Sequence, residues 1–332
     1  MTSSSFFEYL HEQGLLSEVS LEKIRQKQSD KTISLFWDLR LVLYAGVLLL
    51  TGGLGVLIYK NIDDIGHLAI IGAMAATSLF CYGFALKRMN PFSWNEVRSP
   101  GVVFDYVLLL GSILMVTLVG YVQYQYKIFG TEWKLATFIP MLILFFTSYY
   151  FDHQGLLSMA IVNLAAWLGI TINEKVFTHT NQLNDKETLV TAALLGAALI
   201  LLSWLSRISR KKAHFSQLYH QFGTHMYFIS SFIALFVFSP NYYPWVLVYL
   251  AGSVYHYFKS VKEKSYYYMV ITMIYTYGCI SFIVVDLVDE SSGVHYDLKG
   301  KLVFAYFTFS SIAMIFLLIR QNKIFRKHAG VQ

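Results

Sequence analysis

Apolar residues in this chain are grouped in long runs that are separated by short polar segments. About 20 helical residues cross the hydrocarbon core of a bilayer, and each run has about this length. The connections at 152–155 and 239–240 are so short that the helices on either side of them must form antiparallel hairpins. The pattern predicts an all-α integral membrane protein with about ten transmembrane helices, at 41–59, 65–86, 102–122, 134–151, 156–173, 188–206, 222–238, 241–258, 265–285 and 302–319.

The composition supports this class. Of the 332 residues, 56% are hydrophobic and 14% are charged, whereas soluble globular proteins have about 45–50% apolar and about 25% charged residues. Both cysteines, Cys81 and Cys279, lie inside apolar runs. Their placement argues against a disulfide framework and against a zinc site, which would need closely spaced Cys or His ligands.

The distribution of basic residues predicts the orientation. If the ten helices alternate in direction, most of the 26 Lys and Arg residues fall on one side, with clusters at 206–214, 259–264 and 320–327. The positive-inside rule assigns that side to the cytoplasm, so both termini are predicted to be cytoplasmic. The net charge of +6 is then a topology signal, and a nucleic-acid partner is not expected.

A pair of short amphipathic helices is predicted ahead of the first run. Ser5 precedes Glu8 by three positions, which is the capping-box spacing, Gly14 favours a helix end, and Ser17 favours a new helix start. Helices this short need a packing partner. The apolar face is a candidate docking surface for a cytoplasmic protein, or alternatively it packs on the membrane-facing surface of its own bundle; its residues are Phe6, Leu10, Leu16, Leu21 and Ile24.

The same stretch carries a family resemblance. LHEQGLLSEVSLEKIRQKQ (10–28), followed by a linker and a string of apolar runs, resembles the bacterial membrane-protein family called domain of unknown function 2157. The residues that match its pattern are Leu10, Gly14, Leu15, Leu16, Ser17, Leu21 and Ile24. The resemblance implies a short cytoplasmic hairpin before a polytopic bundle in a bacterial cytoplasmic membrane. It implies no reaction, cofactor or catalytic residue.

Three regions are predicted on this basis. Residues 1–34 form the cytoplasmic hairpin and its linker, residues 35–320 the transmembrane bundle, and residues 321–332 a basic cytoplasmic tail. Small residues spaced four apart, such as Gly72 and Ala76, or Ala192 and Gly196, predict close contacts between helices.

Asp105 is the one acidic residue inside a predicted span. A carboxylate within the membrane is costly and is therefore a functional candidate by default. A second interpretation is structural, because Asp105 lies about one turn from the start of its helix. Its negative charge either interacts favourably with the positive end of the helix dipole, or it pairs with Arg98 or a lysine.

Polar side chains also follow one face of the predicted span 265–285. Tyr268, Thr272, Tyr275, Cys279 and Asp286 share this face, and the preceding span has a similar line that includes Tyr249 and His256. Such lines either border an aqueous solute path or supply hydrogen bonds between packed helices. The candidate path residues are Asp105, Tyr249, His256, Tyr268, Thr272, Tyr275 and Asp286.

The chain has no motif for a nucleophile, a phosphate loop or a dinucleotide, and its histidines lack metal-ligand or haem spacing. No catalytic residue, cofactor or metal is therefore predicted. The function hypothesis is a small-solute permease whose path follows the spans 222–238, 241–258 and 265–285. The alternative is a membrane scaffold or sensor that recruits a cytoplasmic partner through the hairpin.

Overall fold

A computed structural model describes residues 11, 13–14, 16–18, 20–23, 49, 56, 66–130, 133–172, 186–291 and 295–328, with side chains described to residue 325. The chain divides into two compact units, residues 1–67 with 320–332 and residues 68–319. Nine long helices occupy the described ranges: α1 His67–Arg88, α2 Val102–Tyr126, α3 Lys134–Phe151, α4 Gln154–Ile172, α5 Lys186–Ser209, α6 Phe215–Val237, α7 Tyr243–Lys262, α8 Tyr266–Glu290 and α9 Tyr296–His328.

The prediction of an all-α membrane protein is confirmed. Seven helices in the described part are long and apolar enough to cross a membrane, namely α1–α5, α8 and residues 296–325 of α9. The count of about ten is not confirmed. The predicted span 41–59 lies outside the described residues, apart from Leu49 and Val56. The spans 222–238 and 241–258 correspond to α6 and α7. Their many Tyr, His and Ser residues keep the mean hydropathy of these two helices below that of the seven candidate spans.

Helix α6 occupies the centre of the second unit, residues 68–319. It packs most closely along α5 and also contacts α4, α7 and α8. A buried cluster of Leu157, Ile161, Leu199, Phe215 and Tyr219 joins α4, α5 and α6. Helix α9 is attached to α8 by hydroxyl groups, with 3.0 Å between the side-chain oxygens of Tyr277 and Ser310 and of Ser281 and Tyr306. The side chains buried at the centre of this unit are therefore those of α6 and the helices around it.

Glycine allows α5 and α6 to cross in backbone contact. A methyl group on Gly196 would lie 2.5 Å from the backbone nitrogen of Tyr227 and 2.9 Å from the carbonyl oxygen of Gly223. The close contact predicted at Gly196 is confirmed. The one predicted at Gly72 is wrong for the described residues: nothing lies within 4 Å of an added methyl group there, and α1 instead buries Ser78, Cys81 and Ala85.

In the first unit, the described residues of the hairpin confirm two local predictions. Gly14 has a left-handed φ of 71°, and the Ser17 hydroxyl accepts a hydrogen bond of 3.3 Å from the backbone N–H of Ser20. Leu16 is half-buried and Leu21 is buried. The other residues of the proposed docking face, Phe6, Leu10 and Ile24, lie outside the described residues.

Candidate functional site

The interface of α6, α7 and α8 gathers most of the candidate path residues. Tyr249 and His256 on α7, and Tyr268 and Thr272 on α8, are all buried there. Thr272 is bonded within its own helix, with 2.7 Å from its hydroxyl to the carbonyl oxygen of Tyr268. We call this interface the polar core and define it by His220, Thr224, Phe228, Tyr249, His256, Tyr268 and Tyr275.

His256 is held by α6 and by its own helix. Its Nδ1 lies 2.8 Å from the carbonyl oxygen of Gly252, which can only accept, so Nδ1 carries a proton. Its Nε2 lies 2.8 Å from the Thr224 hydroxyl, and that hydroxyl also lies 2.7 Å from the carbonyl oxygen of His220. In a neutral His256, Nε2 is an acceptor, so the single proton of Thr224 has two acceptors within reach.

Two other polar groups of the polar core have no hydrogen-bond partner among the described residues. Both ring nitrogens of His220 and the hydroxyl of Tyr268 are buried without one. The two rings meet edge to face, with centroids 4.9 Å apart, and the ring of His256 lies 5.2 Å from that of His220. A buried polar group without a partner costs about 1–3 kcal/mol. This pair is therefore a place where a polar molecule would gain hydrogen bonds.

Aromatic rings fill the next layer of the polar core. Phe228 stacks on Tyr275 with centroids 4.7 Å apart, and it meets the edge of Tyr249 at 5.1 Å. The Tyr249 hydroxyl donates to the carbonyl oxygen of Tyr275 at 2.7 Å. The Tyr275 hydroxyl in turn lies 2.9 Å from Nδ1 of His225. These contacts leave a dense aromatic layer between α6, α7 and α8.

Asp286 lies at the end of α8 near Glu290 and accepts a hydrogen bond from the Tyr242 hydroxyl. It borders a cavity of about 660 Å³ between α6, α8 and α9. Phe232 and Phe282 line this cavity and also pack against the buried cluster that contains Phe228 and Tyr249. The cavity and the aromatic layer therefore share side chains.

Asp105 is separate from this set. It lies in the first turn of α2, as predicted. Its described partners are the Ser99 hydroxyl at 2.6 Å and Nε2 of His153 at 3.5 Å, rather than Arg98 or a lysine. These contacts are at the end of the helix, where Asp105 stabilises the turn before α2 and approaches the turn between α3 and α4.

His153 connects Asp105 to the start of α4. Its Nδ1 accepts a hydrogen bond of 3.2 Å from the backbone N–H of Leu156, so the neutral ring acts as a cap for the helix and carries its proton on Nε2, toward Asp105. A methyl group on Gly155 would lie 2.8 Å from the imidazole ring, which shows how closely the ring is enclosed. A cavity of about 340 Å³ adjoins it and is also lined by Glu96, Arg98, Asp105, Asp152 and His214.

We expect acidification to destabilise the protein through His153. Burial lowers the pKa of His153, and the Asp105 carboxylate opposes this with a smaller effect. The unfolded chain, with a histidine pKa of about 6.5, then binds the proton more readily than the folded protein. The free energy of unfolding should therefore fall as the pH drops below about 6.5, until the folded pKa is reached.

Thermal unfolding of the detergent-solubilised protein between pH 8 and pH 5 measures this effect. The control is His153→Asn, because asparagine caps a helix well and does not titrate, while Asp105, Asp152, His214, Glu96 and Arg98 stay in place around the cavity. The Tm of the wild type should fall more steeply than that of the variant. Parallel curves for the two proteins would contradict the assignment.

A buried ion pair that sequence analysis did not identify lies beside the same cavity. We call it the Asp152 cluster, which consists of Asp152, Lys212 and His214. The Lys212 ammonium is fully buried 3.1 Å from the Asp152 carboxylate, which is itself 2% exposed. His214 Nε2 lies 2.7 Å from the other carboxylate oxygen, and the backbone N–H of Val97 donates to Asp152. The cluster thus ties the turn after α3 to the turn before α6 and to the 89–101 loop.

The comparisons with known proteins concern the first half of the chain. The family described as "Predicted membrane protein (DUF2157)" has a model that matches residues 8–157. Over residues 8–157 the chain is thus similar to this family, as the residues of the hairpin predicted. Searches among curated proteins and among solved structures found no match.

The matched region includes most of the hairpin, α1 to α3 and the start of α4, and so it contains Asp105, Asp152 and His153. Lys212 and His214, which complete the Asp152 cluster, lie beyond it, as does the whole polar core. A sequence signal for the cluster existed in retrospect. Asp152 is an acidic residue in a four-residue turn between apolar runs, and Lys212 lies in one of the basic segments predicted to face the same side of the membrane.

Proposed function

We propose that the protein lies in a bacterial cytoplasmic membrane with both termini in the cytoplasm. The hairpin and linker (1–34) and the basic tail (321–332) are its cytoplasmic parts, and 35–320 is the bundle. The placement of basic residues on the described helices supports this: α1, α5 and α7 end in Lys87 and Arg88, in Arg207, and in Lys259 and Lys262. In the proposed topology these three helices all run toward the cytoplasm, where the positive-inside rule expects such residues.

We propose further that this protein is a small-solute permease, with a path along α6, α7 and α8. The observation that supports this most is the adjacent pair of buried groups without partners, His220 and Tyr268. Membrane helices ordinarily satisfy such groups by pairing them between helices. A polar solute in passage would supply the missing hydrogen bonds, since the two rings are in contact with centroids 4.9 Å apart.

In this proposal the aromatic layer is the closed gate. Phe228, Tyr249 and Tyr275 pack against each other, and the cavity bordered by Asp286 is the vestibule beyond them. Secondary transporters close their path on one side at a time. Thr272 contributes to the path side of α8, whereas Asp105 supports the start of α2 and is outside the proposed path.

Uptake into proteoliposomes tests the permease proposal. The probes are radiolabelled glycine, glucose, glycerol and succinate, each offered separately to the full-length protein. For a transported probe, Tyr268→Phe and Asp286→Asn should each lower the initial rate at least about tenfold, because each removes a polar group of the proposed path. One lost hydrogen bond to a charged or buried group, at about 1.5–3 kcal/mol, has this size.

Tyr82→Phe is the matched control. It removes a tyrosine hydroxyl that bonds to Ser112 at 2.9 Å between α1 and α2, away from the proposed path. Its uptake should equal that of the wild type. The proposal fails if the wild type takes up none of the probes faster than empty liposomes, or if Tyr268→Phe and Tyr82→Phe behave alike.

Recruitment of a cytoplasmic partner through the hairpin has less support. Leu21, one of the five residues of the candidate docking face, is buried. A surface that binds a second protein needs its apolar anchors accessible. The buried Leu21 agrees better with a hairpin that packs within the protein.

A further inference from the structure

A basic cavity lies where α5 and α7 end, apart from the polar core. Its volume is about 440 Å³, and its wall includes Trp204 and Arg207 from α5 and Phe258, Lys259 and Lys262 from α7. Glu263, just after α7, completes it. Both helices pack against α6, and the cavity lies between their ends.

Two of the three cations of this cavity are fixed in place by hydrogen bonds. The Glu263 carboxylate accepts from Lys259 at 2.8 Å and also from Arg207. Nε of Arg207 donates to the Ser216 hydroxyl on α6 at 3.2 Å. Lys262 has no ion-pair or hydrogen-bond partner among the described residues. Three cations around one carboxylate leave an excess of two positive charges.

An apolar surface adjoins the cavity on the same helices. Trp204 and Phe258 at its edge are 56% and 65% exposed. The exposed face continues along α5 with Leu201 and Leu194, and along α7 with Val254 and Leu247. Aromatic side chains beside Lys and Arg at the end of an apolar helix are typical of the level of the lipid headgroups. The cavity is therefore polar and cationic at the headgroup level, with hydrocarbon-facing residues running away from it.

We propose that this cavity binds the phosphate group of an anionic phospholipid, with the acyl chains lying along the exposed faces of α5 and α7. Basic pockets between helices on the cytoplasmic side of a membrane are suited to such headgroups. The guanidinium of Arg207 has further N–H groups beyond those that bond to Glu263 and Ser216, and these can donate to a phosphate. Lys262 supplies a charge without a competing partner among the described residues. A free phosphate would gain the charges but not the apolar faces, so the lipid is the occupant that uses the whole site. This inference rests on the proposed topology and does not depend on the proposed transport.

Native mass spectrometry of the full-length protein in detergent tests the proposal. The probes are dioleoylphosphatidylglycerol and dioleoylphosphatidylcholine, titrated separately. The anionic lipid should bind at least tenfold more tightly than the zwitterionic lipid. Lys262→Gln should weaken its binding severalfold, and Arg207→Gln/Lys262→Gln at least tenfold, with binding of the zwitterionic lipid unchanged.

The control is Lys87→Gln/Arg88→Gln, which removes the same charge from the end of α1. Its binding of the anionic lipid should match that of the wild type. An equal loss in the control would overturn the proposal, because binding would then follow net charge. Equal affinity for both lipids would overturn it as well, as would complete displacement of the lipid by millimolar inorganic phosphate. If the double variant does not fold, as judged by thermal unfolding, the decision rests on Lys262→Gln.

Discussion

Replacing Asp152 with asparagine is expected to lower the free energy of unfolding by about 3–5 kcal/mol, since breaking one partner of a buried ion pair leaves the other charge uncompensated. The Lys212 ammonium is fully buried, and its described charge partner is Asp152. Phe92 lies under it, with its ring centroid 5.2 Å from Nζ, but a cation–π contact contributes far less than a carboxylate. The variant therefore either keeps an unpaired buried cation or unfolds the turns around it.

Reversible unfolding in mixed micelles measures this loss. Asp152→Asn/Lys212→Met should recover most of it, because replacing both charges avoids the uncompensated one. The exposed pair of Asp297 and Lys301 on α9 is the matched control: its atoms lie 2.6 Å apart, but the side chains are 82% and 70% exposed. Asp297→Asn should cost less than about 1 kcal/mol. Equal losses at Asp152 and Asp297 would mean that burial of the cluster has no energetic role.

The second large effect is expected at the crossing of α5 and α6. Gly196→Ala should destabilise the protein by about 3 kcal/mol or more, and Gly196→Leu should prevent folding. The added methyl group meets the backbone of Tyr227 at 2.5 Å and the carbonyl oxygen of Gly223 at 2.9 Å. Backbone atoms cannot rotate away, so the two helices must separate, and overpacking of this kind costs about 1–3 kcal/mol even where side chains can adjust.

Gly72→Ala is the matched control for this prediction. Gly72 is also within a helix, but an added methyl group there has no neighbour within 4 Å. Alanine should be neutral or stabilising at that position by up to about 1 kcal/mol, because it favours the helix more than glycine does. Thermal unfolding of both variants decides the matter. The explanation is wrong if Gly196→Ala retains the Tm of the wild type.

Structural features that depend only on residues close in the sequence could be predicted. The left-handed Gly14, the capping hydroxyl of Ser17 and the place of Asp105 in the first turn of α2 all depend on residues a few positions away. The long apolar runs predicted the helices for the same reason. In lipid, each segment must satisfy the hydrogen bonds of its own backbone, and it does so by forming a helix whatever its neighbours are.

Features that join distant segments could not be predicted. Asp152 and Lys212 are sixty positions apart, and their pairing depends on how α3, α6 and the 89–101 loop pack. Gly196 and Gly72 had equivalent small-residue spacing, yet only Gly196 meets another backbone among the described residues. In the polar core, the stripe on α8 was visible in the sequence, whereas its contact with His220 on α6 depends on the rotation of both helices.

The hydrogen bonds of Thr224 have an energetic consequence for the polar core. The carbonyl oxygen of His220 lies inside α6, where the helix backbone already donates to it, so the single hydroxyl proton of Thr224 is free to donate to Nε2 of a neutral His256. The hydroxyl thereby joins α6 to α7 through an acceptor that the helix backbone does not satisfy. A molecule that donated its own hydrogen bond to Nε2 would compete with Thr224, so occupancy of the polar core and the Thr224–His256 bond are thermodynamically linked.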